Sequence, residues 1–257
     1  MTRESFATYP SLKEKSVFIT GGGSGIGESL VMHFSAQGAR VAFVDIAEDA
    51  SRAVVEHAAD TGCSRPLFIH CDLRDIDALR AAIGEASAAH GAIRVLCNNA
   101  GNDDRHATET VDVAYWDDRM AVNVRHQFFA AQAVVPGMRL AGGGSIINFG
   151  SITWIVGDPD CPAYVTAKAA IYGMTRALAR EFGPANIRVN CLVPGWVMTE
   201  RQMRLWVNEA GERQIAERQC LTTRLQPSDI ARMALFLAAD DSRMCTSQQF
   251  IVDGGWV

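Results

Sequence analysis

The sequence predicts an α/β protein built on a doubly wound parallel sheet, a Rossmann-like architecture with helices on both faces. Three observations lead there. Short runs rich in β-branched residues alternate with longer stretches of helical spacing along the chain. The short runs are nearly continuous in apolar residues, as strands covered on both faces require. A glycine-rich turn joins the first such run directly to the first helical stretch.

The elements follow in order. Ser16–Thr20 reads as the first strand and Gly25–Gln37 as the first helix. Arg40–Asp45 is a second strand, Glu48–Asp60 an alanine-rich helix and Pro66–His70 a third strand. Asp75–His90 is helical and Ile93–Asn98 is a fourth strand. Val113–Leu140 reads as one long helix, with a break expected near Pro136. Gly144–Phe149 is a fifth strand, Cys161–Phe182 a helix and Ile187–Leu192 a sixth strand. Pro227–Ala239 is a last helix and Gln248–Val252 a seventh strand. Residues 195–225 are too long for a passive loop and read as a helical flap or lid. No linker, repeat or composition shift divides the chain, so 1–257 is expected to be a single dinucleotide-binding domain.

Composition narrows the function. The net charge of -5 gives no electrostatic reason to expect nucleic acid or an anionic membrane as partner. Seven scattered cysteines without a C-x-x-C suit a reducing compartment, so the cytoplasm is the expected location. No apolar run approaches the roughly 20 residues that span a bilayer. Met1–Leu12 lacks the basic-then-apolar pattern of a signal peptide. No group of residues has metal-ligand spacing, so no metal is expected.

The turn Thr20-Gly21-Gly22-Gly23-Ser24-Gly25-Ile26-Gly27 lies between a strand and a helix, which is the context a phosphate-cradling loop requires. Glycine lets the backbone approach a ligand closely, and the helix N-terminus offers free N–H groups to a pyrophosphate. Asp45 ends the second strand, 18 residues after Gly27. A carboxylate there can accept both ribose hydroxyls of NAD and would repel the 2′-phosphate of NADP. Ser24 in the turn and Ile46-Ala47 after Asp45 supply no cation for such a phosphate, so NAD is the expected cofactor. The bland alternative is an ordinary glycine turn followed by an aspartate that caps the next helix.

Tyr164 and Lys168 form a Y-x-x-x-K pair, with Ser151 thirteen positions upstream. Residues i and i+4 share one helix face, so the two can address the same spot. A lysine ammonium nearby favours the phenolate and should lower the phenol pKa, and a serine hydroxyl can hold a substrate oxygen. Together they form a device for moving a proton on and off an alcohol. Alone the pair is weak evidence, because the spacing recurs by chance on amphipathic helices. Asn123 falls mid-helix, where asparagine is unfavourable, which favours a functional or water-bridging role.

With these pieces placed, the chain resembles the classical short-chain dehydrogenases/reductases over nearly its whole length. The likeness rests on Thr20-Gly21-x-x-x-Gly25-x-Gly27, Cys71-Asp72-Leu73, Asn98-Asn99-Ala100-Gly101, Asn123, Ser151, Tyr164-x-x-x-Lys168 and Pro194-Gly195. It implies catalytic roles for Asn123, Ser151, Tyr164 and Lys168. It further implies that Asp72 bonds the adenine amino group, while the N–H of Leu73 faces the ring and Asn99, Ala100 and Gly101 line the adenosine side. Lys168 would also hold the nicotinamide ribose and Asn123 a water leading from Lys168 to solvent. Pro194, Gly195, Val197 and Thr199 would pass the nicotinamide, with Thr199 near its carboxamide. The resemblance also implies a homotetramer, and the helical regions 113–140 and 162–182 are rich in small residues that permit close packing. The closing Asp253–Val257 would lie at a second interface or near a neighbouring site.

The substrate must be read elsewhere. Asn102-Asp103-Asp104-Arg105-His106 follows the fourth strand, at the sheet edge where ligands of this architecture lie. Thr153 and Trp154 follow Ser151, and Trp196 follows Gly195. Polar groups can bind several hydroxyls while indoles cover C–H faces, which suits a polyhydroxylated substrate. A solvated loop with tryptophans packing a lid fits equally well on polarity alone. The segments 98–106, 147–154 and 175–181 resemble bacterial aldose 1-dehydrogenases, the D-xylose-oxidising branch among them. That implies oxidation of a cyclic sugar at C1 to its lactone, with Asn102, Asp103, Ser151, Thr153, Trp154, Tyr164 and Trp196 at the substrate. L-Arabinose, D-galactose, L-fucose and L-rhamnose stay open beside D-xylose. The competing readings are a reductase of a 3-oxoacyl or steroid-like ketone and a catalytically dead NAD sensor.

Overall fold

A computed structural model describes residues 6–257; the first five residues of the segment judged not to be a signal peptide lie outside them. Seven strands form one sheet in the order β3-β2-β1-β4-β5-β6-β7, and every neighbouring pair is parallel. They are β1 Ser16–Thr20, β2 Arg40–Asp45, β3 Leu67–His70, β4 Val95–Asn98, β5 Gly144–Phe149, β6 Ile187–Pro194 and β7 Gln249–Val252. The central strands β1 and β4 are buried at every position, so their apolar runs do not alternate.

Helices α1 Gly25–Ala36, α2 Glu48–Asp60 and α3 Ile76–His90 follow the first three strands. Asp75 caps α3 by accepting from the N–H groups of Asp77 and Ala78. After β4 come α4 Val113–Met120 and α5 His126–Leu140, and after β5 the single turn α6 Thr153–Val156 and the long α7 Pro162–Phe182. Helices α8 Glu200–Leu205 and α9 Glu209–Arg218 occupy the segment read as a flap, and α10 Pro227–Ala238 leads to β7. Prolines at the first position of α7 and α10 begin both helices where no N–H is needed.

Two cores sandwich the sheet. Phe34 of α1 and Ile230, Ala234 and Leu237 of α10 pack on one face, while Leu79, Ile83, Val134, Met138 and Phe182 pack on the other. This placement frees the carboxyl ends of the strands to carry a ligand site.

One element departs from expectation. The 113–140 helix is interrupted at Ala121–Arg125, which winds as a π-helix, and it runs unbroken through Pro136. The extra residue of the π turn brings Asn123 fully into the interior. There its Oδ1 accepts from Asn102 N at 2.8 Å, and its Nδ2 donates to Asn102 O at 3.1 Å and Arg119 O at 3.0 Å. The tertiary clamp on the loop after β4 decides where the helix deforms; a proline one turn from the helix end does not.

Candidate active site

A cleft of about 570 Å³ opens along the carboxyl ends of β1, β2, β4, β5 and β6. Its floor is the glycine turn. Gly21 and Gly25 have φ of +71° and +57°, which β-carbon-bearing residues rarely adopt. At Gly27 a Cβ would lie 1.7 Å from Gly21 O, so the helix can start against the turn only with glycine there. Asn99 Nδ2 ties the turn down by donating to Thr20 O at 3.1 Å and Gly21 O at 3.0 Å, and Ala100 N donates to Thr20 Oγ1 at 3.1 Å. The Asp45 carboxylate accepts from Gly23 N and Ala47 N, both at 2.9 Å. This cradle of bare backbone, a helix N-terminus and a strand-end carboxylate fits a dinucleotide.

Ser24, Ile26, Ile46, Asp72 and Leu73 line the adjoining wall. Asp72 is engaged by Arg74, whose Nε lies 3.0 Å from both carboxylate oxygens. That contact is the main reason the Asp72 carboxyl is held below its ordinary pKa. At the other end Pro194, Gly195, Val197 and Thr199 line the cleft. Thr199 caps α8 by accepting from Gln202 N, and its methyl would touch a Cβ placed on Gly25.

Ser151, Tyr164 and Lys168 line the same cleft. Ser151 Oγ accepts from Thr153 N at 3.2 Å and pairs with Thr153 Oγ1 at 3.0 Å, which leaves its own proton to offer outward. Lys168 Nζ donates to Phe149 O at 2.9 Å and stands 5.5 Å from the Tyr164 ring centroid. Burial lowers Lys168 to about 8. The expected lowering of the Tyr164 phenol is not what the protein alone displays. Burial, and next the charge of Asp103, push the phenol above its ordinary value, while Ser151 pulls it down. Desolvation outweighs an ammonium that is directed at a carbonyl.

Asn123 is not at the cleft surface but behind it. A Cβ on Gly101 would come within 3.1 Å of Asn123 Oδ1 and 3.2 Å of Lys168 Nζ, so glycine at 101 is what lets the two approach. Asn102, Asp103, Thr153 and Trp196 line the mouth. Trp154 does not line the cleft; the side chain is half-buried, and its buried indole N–H has no protein partner. Thr153 and Trp154 are successive residues of the one-turn α6, about 100° apart around its axis, so only one can face inward.

Other lining residues escaped the sequence reading: Arg119, Asp158, Arg201, Gln202, Gln214 and Trp256. Trp256, from the closing segment expected at a second interface or near a neighbouring site, lines this chain's own cleft with its ring edge-on to Trp196 at 6.1 Å. Thr199-x-x-Gln202 is a helix-start pattern, a legible signal that residues 200–205 are ordered. His106 contacts Asp104 O and the Tyr115 hydroxyl through Nδ1, and so braces its loop.

A family model described as "Enoyl-(Acyl carrier protein) reductase" matches residues 21–257. The D-xylose 1-dehydrogenase of Caulobacter vibrioides is 52% identical over 252 residues, 98% of this chain and 99% of that protein. A Rhizobium meliloti protein named "Probable galactose dehydrogenase GalD" is 51% identical over 247 residues, 96% of each. Among solved structures, a double mutant of a Serratia marcescens short-chain dehydrogenase/reductase superposes with a TM-score of 0.88 at 32% identity, covering 96% of this chain and 99% of its own.

Proposed function

The chain belongs to the short-chain dehydrogenase/reductase family of oxidoreductases, and on that premise we propose that it is an NAD-dependent aldose 1-dehydrogenase, converting a pentose or related sugar such as D-xylose to its lactone. One observation carries the reading: Ser151, Tyr164 and Lys168 share a cleft with the polar mouth of Asn102, Asp103 and Gln202, in a chain half identical to a D-xylose 1-dehydrogenase. A 3-oxoacyl or steroid ketone would meet charged groups at that mouth.

In this reading the turn from Gly21 to Gly27 would hold the phosphates, Asp45 would accept the ribose hydroxyls, and Lys168 would hold the second ribose. When bound, the oxidised nicotinamide would supply the hydride acceptor and a positive charge that favours the phenolate. Ser151 donates its hydroxyl hydrogen to the substrate oxygen, and the anomeric hydroxyl passes its proton to the Tyr164 phenolate. Lys168 favours that phenolate, and Asn123 steadies the loop behind both. Residues 195–225 act as a lid on a single domain spanning 1–257.

NADH formation from a panel of aldoses, with NADP⁺ as control, tests the proposal. Turnover of hydroxyacyl or steroid substrates and of no sugar would refute it. Asp45→Asn removes the charge while keeping the shape. It is expected to lower kcat/KM with NAD⁺ at least tenfold, the loss of about one charge-assisted hydrogen bond, and to narrow the gap to NADP⁺. An unchanged cofactor ratio would remove the role given to Asp45.

Self-association into a homotetramer belongs to the same reading. Val113, Trp116 and Phe128 leave apolar surface exposed on α4 and α5. We place the enzyme in the cytoplasm, which suits seven unpaired cysteines; among the described residues no helix is long and apolar enough to cross a membrane.

A further inference from the structure

Helix α8 is fastened to the loop after β4 by a compact set of charges. Arg201 places Nη2 2.6 Å from Asp104 Oδ1 and Nε 3.4 Å from Asp103 Oδ1. Gln202 Nε2 donates to Asp103 Oδ2 at 2.6 Å, and Trp196 Nε1 donates to Gln202 Oε1 at 3.1 Å. Asp103 lines the cleft with Tyr164 and Lys168, and its side chain is only 21% exposed. A carboxylate there opposes the ionisation that a tyrosine base needs. Its charge bears on Tyr164 and on Lys168 in the same upward direction.

We propose that Arg201 is a positioning residue for the base: by pairing with Asp103 and Asp104 it docks α8 over the cleft and screens Tyr164 from the Asp103 carboxylate. This deepens the assignment of Tyr164 as the base and rests on it. The other charged groups around Asp103 are already committed. Arg119 of α4 pairs with Asp104 and Asp118, and Arg105 pairs with Asp158 while stacking over the Trp206 ring. Cys161 is a buried thiol that burial pushes up to about 11, so it adds no charge near neutrality. Arg201 is thus the cation that meets Asp103 directly. A half-exposed pair contributes little to stability, so a purely structural role would leave the pH profile alone.

The test compares wild type, Arg201→Met, Arg201→Lys and the double variant Asp103→Asn/Arg201→Met. Two quantities are read: the midpoint of the pH dependence of kcat/KM, with saturating NAD⁺ and whichever alcohol the wild type oxidises, and amide hydrogen exchange across residues 200–205. Arg201→Met should raise the midpoint by about one pH unit and speed exchange at least about tenfold. Arg201→Lys should recover most of both effects, and the double variant should return the midpoint to the wild-type value or below. Arg213→Met, which breaks the exposed Arg213–Glu209 pair on α9, serves as control and should change neither. An unmoved midpoint in Arg201→Met, a double variant that keeps the whole upward shift, or unchanged exchange would overturn the proposal. Oxidation of a non-sugar alcohol alone would sink the sugar assignment and still leave Arg201 to be judged on these readouts.

Discussion

Tyr164→Phe is expected to abolish turnover, lowering kcat at least about a thousandfold, while the dissociation constant for NADH stays within about twofold. The phenyl ring keeps the packing of a half-buried side chain and loses only the hydroxyl that the proposed mechanism uses. Rate and binding therefore separate, which a folding defect could not produce. The pH dependence has a definite sign. In the proposed mechanism the reacting form in oxidation is the phenolate, and burial holds the phenol above its ordinary value, so wild-type kcat/KM should climb with pH through the alkaline range. Lys168→Met removes a group that burial leaves charged only up to about 8, so it should lower kcat/KM most on the neutral side of that climb. Stopped-flow NADH formation across pH, with NADH titrations by fluorescence, checks each statement. Near-wild-type turnover in Tyr164→Phe would end the assignment of the base.

Gly27→Ala should be the most damaging single methyl in the chain. Its Cβ would stand 1.7 Å from Gly21 O and 2.7 Å from Gly21 C, both backbone atoms that cannot swing away. Either α1 moves off the turn or the turn opens, and both destroy the cradle. A loss of about 3 kcal/mol in stability and at least a hundredfold in cofactor affinity is expected. Gly84→Ala is the matched comparison, in the middle of α3 with no atom beyond its own helix backbone and chain neighbours within 4 Å of the added carbon. It should raise stability by roughly 0.5–1 kcal/mol. Thermal unfolding and NADH binding on both variants separate the two cases, and equal effects would refute the steric account.

How far the molecule could be read from its sequence depended on the range of the interactions involved. Strands such as Val95–Asn98 are apolar runs bounded by polar turns, a local pattern, and their placement needed no partner. The glycine turn and the Tyr164–Lys168 spacing are equally local. The π turn at Ala121–Arg125 was not legible, because it depends on Asn123 meeting Asn102 across the fold. The partners of Asp103 lie 98 and 99 residues away at Arg201 and Gln202, beyond the reach of any short motif. Trp154 shows the opposite error: adjacency to Ser151 suggested the cleft, but a single helical turn points it elsewhere. The Tyr164 phenol depended on burial, which spacing does not reveal.

Asp45 joins two requirements that are usually treated separately. Its oxygens hold the N–H groups of Gly23 and Ala47, so the carboxylate is oriented by the loop and the loop by the carboxylate. The residue that would choose between cofactors is also a rivet in the phosphate cradle. Redesign toward NADP⁺ therefore cannot be a one-residue exchange: a cation at 45 would leave Gly23 N without its acceptor and loosen the preorganised turn. On the NAD reading, selectivity and affinity should fall together unless a second substitution restores that acceptor.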